Sequence, residues 1–277
     1  SYTLGRPVNL LRRELLEADV RGLALFRIAF GLVLAAYLFE CATPSIATMF
    51  YTDLGVLPRT WLFRSPEDVV QFSLFFASGE PAAIVVLLGI GVVAAIAFTL
   101  GYRTRVAILV VAVLLASLAT RNPFARNSAH AAMQILSFFA FALPLDARYS
   151  IDARRGLADV VRADRVTTIG VLAFRLQVAA IYLLGALQKS GGAWRDGSAI
   201  HFVLENDTFA RDWVRAVRSD LPPMLTRGAS YSTIAIEIAI AVLVLSPLFP
   251  KLARRVACVL LVVLHLGIGA TLALGPF

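Results

Sequence analysis

PAAIVVLLGIGVVAAIAFTL, residues 81–100, runs through the turn Gly101-Tyr102-Arg103 into TRVAILVVAVLLASLAT, residues 104–120. Each apolar run is about 20 residues, or roughly 30 Å of helix, which matches the hydrocarbon thickness of a bilayer. The turn is too short for anything but a reversal, so the pair reads as two adjacent membrane spans. The whole chain agrees with that reading. It has 277 residues, 59% of them hydrophobic and only 16% charged, with a mean hydropathy of +0.78. An average soluble domain holds about 45–50% apolar and about 25% charged residues. The fold class is therefore all-α: a polytopic transmembrane bundle with interfacial amphipathic helices.

Working outward, spans are expected at Gly22–Phe39, Pro81–Gly101, Thr104–Thr120, Ala131–Leu145, Thr168–Leu187, Ala229–Leu248 and Arg255–Leu274, about seven in all. Residues 7–21 mix leucines with charges and read, with the residues before them, as an interfacial N-terminal helix. Residues 1–16 lack the apolar core and cleavage site of a signal peptide. Ser65-Pro66-Glu67-Asp68 reads as a helix start, with a serine cap, proline at the first position and acids in the first turn. Residues 69–79 are too few to span and are expected to lie flat or re-enter.

The net charge of +8 comes from loop arginines beside anionic lipid, not from a basic stretch interleaved with aromatics, so nucleic acid is not an expected partner. With a cytoplasmic N-terminus, inner segments carry 14 Lys/Arg and outer ones 10, of which 6 fall in the long segment 188–227. That asymmetry places the N-terminus inside. Residues 40–80, residues 121–130 and Lys189 then share the outer face. Cys41 and Cys258 fall at opposite faces, so no disulfide is expected, and three scattered histidines without HExxH or CxxC make no metal site.

Chemistry concentrates in Arg175–Gly197, RLQVAAIYLLGALQKSGGAWRDG. Arg175, Tyr182 and Lys189 are seven residues apart, on one face of a regular helix. A polar stripe on an apolar helix faces something other than lipid. Lys189, at the helix end before a Gly-Gly break, reads either as a desolvated general base or as a lysine snorkelling to the boundary. Arg27, Arg175, Gln177, Glu237 and His265 lie inside apolar spans, where an unpaired charge costs at least ~2.5 kcal/mol. Pairing of Arg27 or Arg175 with Glu237 is the expected remedy, while Arg175 and Gln177 also suit a pocket. His130 follows Asn122 and Asn127 at the mouth of the fourth span. It reads as a proton-transfer group or as a helix-start residue satisfied by water.

Leu25–Gly31, Phe50–Pro58 (FYTDLGVLP), Leu100–Arg105 (LGYRTR), Arg121-Asn122-Pro123, Leu143–Asp152 (LPLDARYSID) and Lys189–Gly197 together resemble the bacterial HTTM family. That domain is shared with the membrane part of vitamin K-dependent gamma-carboxylases. The resemblance runs in order over nearly the whole chain and implies a single membrane domain of residues 1–277 in a bacterial cytoplasmic membrane. In the carboxylases a membrane-embedded lysine deprotonates reduced vitamin K. The lysine lies seven residues after a tyrosine and five before a tryptophan, and Tyr182, Lys189 and Trp194 are similar in both spacings. Gln177 falls at a glutamine of the pattern.

The resemblance thus implies Lys189 as base with His130 assisting, and a quinol or other lipid-like substrate bound by Arg175, Gln177, Tyr182, Trp194, Asp196, Asn122 and Asn127. The chain departs from the pattern at Gln188, where the carboxylases have a first lysine. It departs again at Asn127-Ser128-Ala129-His130, where many bacterial relatives read Asn-Gly-Gly-Asp. No soluble C-terminal domain for a protein substrate is expected. Relatives of the sporulation-delaying type assist toxin-peptide maturation, so a non-catalytic partner of a peptide, lipid or neighbouring subunit is the alternative.

Overall fold

A computed structural model describes residues 14–62, 72–156 and 164–273. The chain forms two compact units, one of Glu17–Val171 and one of Ser1–Leu16 with Leu172–Phe277. Among the described residues six helices are long and apolar enough to cross a membrane. The helix start expected at Ser65 and the first part of the expected N-terminal helix lie outside the described residues.

In the Glu17–Val171 unit, strand β1 (Glu17–Asp19) pairs antiparallel with β2 (Arg165–Thr167), Ala18 opposite Val166. Asp19 ends the strand and caps helix α1 (Val20–Ala42) by accepting from the Arg21 N–H. The interfacial helix expected from the sequence runs through Glu17–Asp19 to Arg21. The cap at Asp19 and the pairing with 165–167 explain why the chain is extended there instead. Helix α2 (Pro81–Leu100) starts on a proline at its first turn, and α3 (Thr104–Arg121) follows it after the tight turn. Gly31 of α1 lies so close to Thr99 of α2 that a Cβ there would overlap the threonine, and Gly91 sits against Leu38 and Leu114.

Helix α4 (Ser128–Ala140) has 13 residues, about 20 Å, where the sequence reading has a span to Leu145. Pro144 disfavours helix at Leu143, and the chain leaves α4 as turns through Leu145. Residues 72–79 hold a single 3₁₀ turn, Leu74–Phe76, that buries Phe75.

The other unit contains α5 (Ile169–Gln188, from Leu172 on), α6 (Pro223–Leu245) and α7 (Pro250–Thr271), the last two packed as a hairpin. Between α5 and α6, short helices surround a small apolar cluster of Leu204, Ala210 and Val214. Ala210 bridges to Leu272 just after α7. Cys41 is buried and Cys258 exposed, and both are free thiols.

Candidate functional site

In the Glu17–Val171 unit, the residues of the quoted motifs hold one another. Arg27, fully buried on α1, donates to the Thr99, Leu145, Arg148 and Tyr149 carbonyls at 3.3, 2.8, 3.1 and 2.6 Å. It thereby gathers the end of α2 and the turn after α4. Gly101, at φ +70°, packs on Ser150 so tightly that a Cβ would collide with the serine. Asp152 accepts from the Arg103 and Thr104 N–H groups and the Thr104 hydroxyl, at 2.9–3.0 Å. Burial works to raise its pKa, yet these hydrogen bonds, Thr104 first, hold the carboxyl below its usual range.

A second lock forms at the other end of α1 and α3. Buried Arg121 donates to the Leu57 and Thr52 carbonyls at 2.8 and 2.9 Å, and Asn122 donates to the Phe50 carbonyl at 2.9 Å. The Asn122 carbonyl oxygen also caps the 3₁₀ turn Pro123–Ala125. Asp53 receives Arg59 at 2.7 Å, and that guanidinium keeps the Asp53 carboxyl below its usual range. Asn127 caps α4 by accepting from the His130 N–H at 2.8 Å.

His130 is buried between these helices. Its Nε2 lies 3.0 Å from the Leu115 carbonyl and its Nδ1 2.7 Å from the Tyr37 hydroxyl. A carbonyl only accepts, so Nε2 carries the proton and Nδ1 accepts from Tyr37. Both ring nitrogens are engaged inside the unit. Tyr51, beside Cys41, continues the buried polar line, and burial pushes its phenol above the ordinary value.

The second unit holds Lys189. The polar stripe of α5 faces protein, as its spacing predicts, but its partners differ from those expected. Arg175 donates to the Glu14 and Leu15 carbonyls, both at 2.8 Å. Tyr182 meets the His265 ring edge-on, centroids 6.2 Å apart. Lys189 Nζ donates to both Glu237 carboxylate oxygens at 2.8 and 2.7 Å and to the Gly185 carbonyl at 3.1 Å. Its side chain is 20% exposed and that of Glu237 13%. The expected pairing of Arg27 or Arg175 with Glu237 is overturned. Both arginines spend donors on backbone carbonyls, and Glu237 belongs to Lys189.

Trp194 completes this site. Its ring lies 5.5 Å from Lys189 Nζ, carried by the short helix Gly192–Arg195. That helix is tied to α6, because Tyr231 donates to the Arg195 carbonyl and Ser230 to the Gly197 carbonyl, both at 2.9 Å. Asp196 caps the next turn through Ser198, whose hydroxyl and N–H keep the exposed carboxyl below its usual range. Gln177 is half-buried on α5. Nothing lies within 4 Å of where a side chain would begin at Gly191 or Gly192, so the turn beside Lys189 stays open.

Glu237 is the residue the sequence reading assigned elsewhere. One signal for the site was present. Of 26 basic residues only Lys189 and Lys251 are lysine. Arginine stays protonated in proteins, whereas lysine can give its proton up.

Several apolar spans, buried arginines closing the ends of a helical unit and an amine–carboxylate pair on spanning helices define a multi-pass helical membrane protein. More narrowly, the HTTM domain matches residues 16–277, and the chain belongs to that family. No curated protein and no solved structure matches it.

Proposed function

We propose that this is a membrane enzyme in which Lys189 is the base toward an acidic hydroxyl of a lipid-like substrate, a quinol such as reduced vitamin K. The observation that carries the reading is the setting of Lys189. A titratable amine, largely buried, sits between an aromatic ring and a carboxylate at the end of a spanning helix, beside an open turn. Trp194 offers a flat apolar face to an aromatic headgroup, and the amine beside it is the group such a hydroxyl needs. The Tyr182 and Trp194 spacings shared with the carboxylases support the same reading, and with it a common ancestry of the chemistry. Tyr182, Gln177 and Asp196 border the site along the sequence. Arg175, Asn122, Asn127 and His130 are given holding roles, because each spends polar atoms on its own unit. The arginine distribution supports a cytoplasmic N-terminus and an outward-facing site in a bacterial inner membrane.

The test is turnover of reduced vitamin K by the protein in lipid nanodiscs under oxygen, with native mass spectrometry for a retained quinone. Lys189→Ala abolishes turnover while assembly survives. Turnover equal to the wild type in that variant removes the reading. One observation also favours a non-catalytic partner of a peptide, lipid or subunit: a carboxylate held by both oxygens is what a purely structural staple between α5 and α6 needs. Under that alternative the wild-type protein consumes no quinol, and loss of thermal stability is the sole effect of Lys189→Ala.

A further inference from the structure

Three acceptors surround Lys189 Nζ: Glu237 Oε1, Glu237 Oε2 and the Gly185 carbonyl. They match the three N–H bonds of an ammonium. An amine that loses a proton to solvent leaves one acceptor without a donor and the carboxylate without a counter-ion, in surroundings where an uncompensated charge is expensive. Of the three acceptors only the Glu237 oxygens can bind the proton covalently. Once one of them does, the carboxyl O–H points back at the Nζ lone pair, and the two remaining N–H bonds serve the other oxygen and Gly185. The cradle is satisfied in both forms.

We infer that Glu237 is the proton-accepting partner that makes Lys189 a base, an inference that rests on the reading of Lys189 given above. In the first step a proton passes from Nζ to Glu237, converting ammonium and carboxylate into amine and carboxylic acid. In the second the substrate O–H bond breaks and its proton bonds to Nζ, with the electron pair remaining on oxygen. The oxyanion then lies beside Lys189 ammonium and neutral Glu237. Net charge in the site is zero at every stage, and no oxidant or reductant is needed. A lone lysine would have to be either permanently charged, and no base, or neutral at rest and left without its partner. Among the described residues, Tyr182 lies one helical repeat before Lys189 on α5 and meets the ring of His265 on α7, whose Nδ1 donates to the Leu261 carbonyl at 2.9 Å. Trp194 contributes its ring and no proton.

The chain's two lysines make a direct test possible, since exposed Lys251 is an internal reference. The protein in nanodiscs is acylated at pH 7.5 with isotopically labelled acetic anhydride, and peptides holding Lys189 and Lys251 are quantified by mass spectrometry. Only an uncharged amine reacts. Removing an opposite charge in contact shifts a protonation balance by about ten- to a thousandfold. Glu237→Gln, which keeps the shape, therefore raises the Lys189-to-Lys251 rate ratio at least about tenfold, and Glu237→Asp restores a low ratio. An unchanged ratio in Glu237→Gln overturns the inference.

Should Glu237→Gln fail to assemble, difference infrared spectra of wild type and Lys189→Met, with carboxyl-labelled glutamate, decide. A carboxylate in the wild type that becomes a carboxylic acid in Lys189→Met supports the pair. A carboxylate in both refutes it. Neither readout uses turnover. Loss of the base reading through an active Lys189→Ala is therefore distinct from loss of the Glu237 inference through unchanged labelling.

Discussion

Replacing Arg27 by methionine removes the donor that ties α1 to the end of α2 and to the turn at Leu145–Tyr149. Four carbonyls lose a charged hydrogen-bond partner. Such bonds contribute about 1.5–3 kcal/mol each, and taking the low end for a shared guanidinium gives about 6 kcal/mol. Methionine in an apolar segment recovers about 2.5 kcal/mol that the arginine costs there. The net loss is about 3–4 kcal/mol, comparable to breaking a buried ionic network by deleting one partner. The assay is thermal unfolding in a fixed detergent or nanodisc, followed by circular dichroism, with Arg27→Lys alongside. An ammonium presents three donors on one atom and cannot reach carbonyls on opposite sides of the turn, so Arg27→Lys falls most of the way to Arg27→Met. Wild-type melting in Arg27→Lys would refute the lock, because it would mean that charge alone and not the forked geometry is what the site needs.

The pH response follows from Asp152 and Asp53, whose folded carboxyls are held below the ordinary value. Stability they provide is complete above about pH 4 and lost as pH falls through their lower folded values, because the unfolded chain takes up protons first. Melting temperature is flat from pH 7 to 5 and drops below about pH 4, and Asp152→Asn starts lower and drops less. Gly101→Ala, at φ +70° against Ser150, destabilises by at least about 1–2 kcal/mol, read by the same melts. Tyr37→Phe leaves His130 Nδ1 without its donor and costs about 1–3 kcal/mol without affecting Lys189 labelling.

The membrane fold was legible because a span is a matter of length and apolarity, both visible in residues 81–120. The shortening of α4 was legible too, in Pro144, but weighs less than hydropathy in a reading by apolar runs. Seven-residue spacing found the stripe of Arg175, Tyr182 and Lys189. It could not find the partners, since Arg27 and Arg175 are satisfied by backbone carbonyls, and every residue carries one. Glu237 was visible as a charge in a span. Only the arrangement of α5 and α6 assigns it to Lys189. Asn122 and Asn127, which the resemblance assigns to substrate binding, cap the 3₁₀ turn and α4, a role legible from asparagine standing just before a helix start.

The central claim is that the Lys189 proton moves, and Lys189→Arg isolates it. Arginine keeps the positive charge and can still pair with Glu237, but it does not give up its proton. In assembled Lys189→Arg protein, consumption of reduced vitamin K falls at least about a hundredfold, the usual contribution of a general base. Consumption at the wild-type rate by an assembled Lys189→Arg protein would contradict the claim.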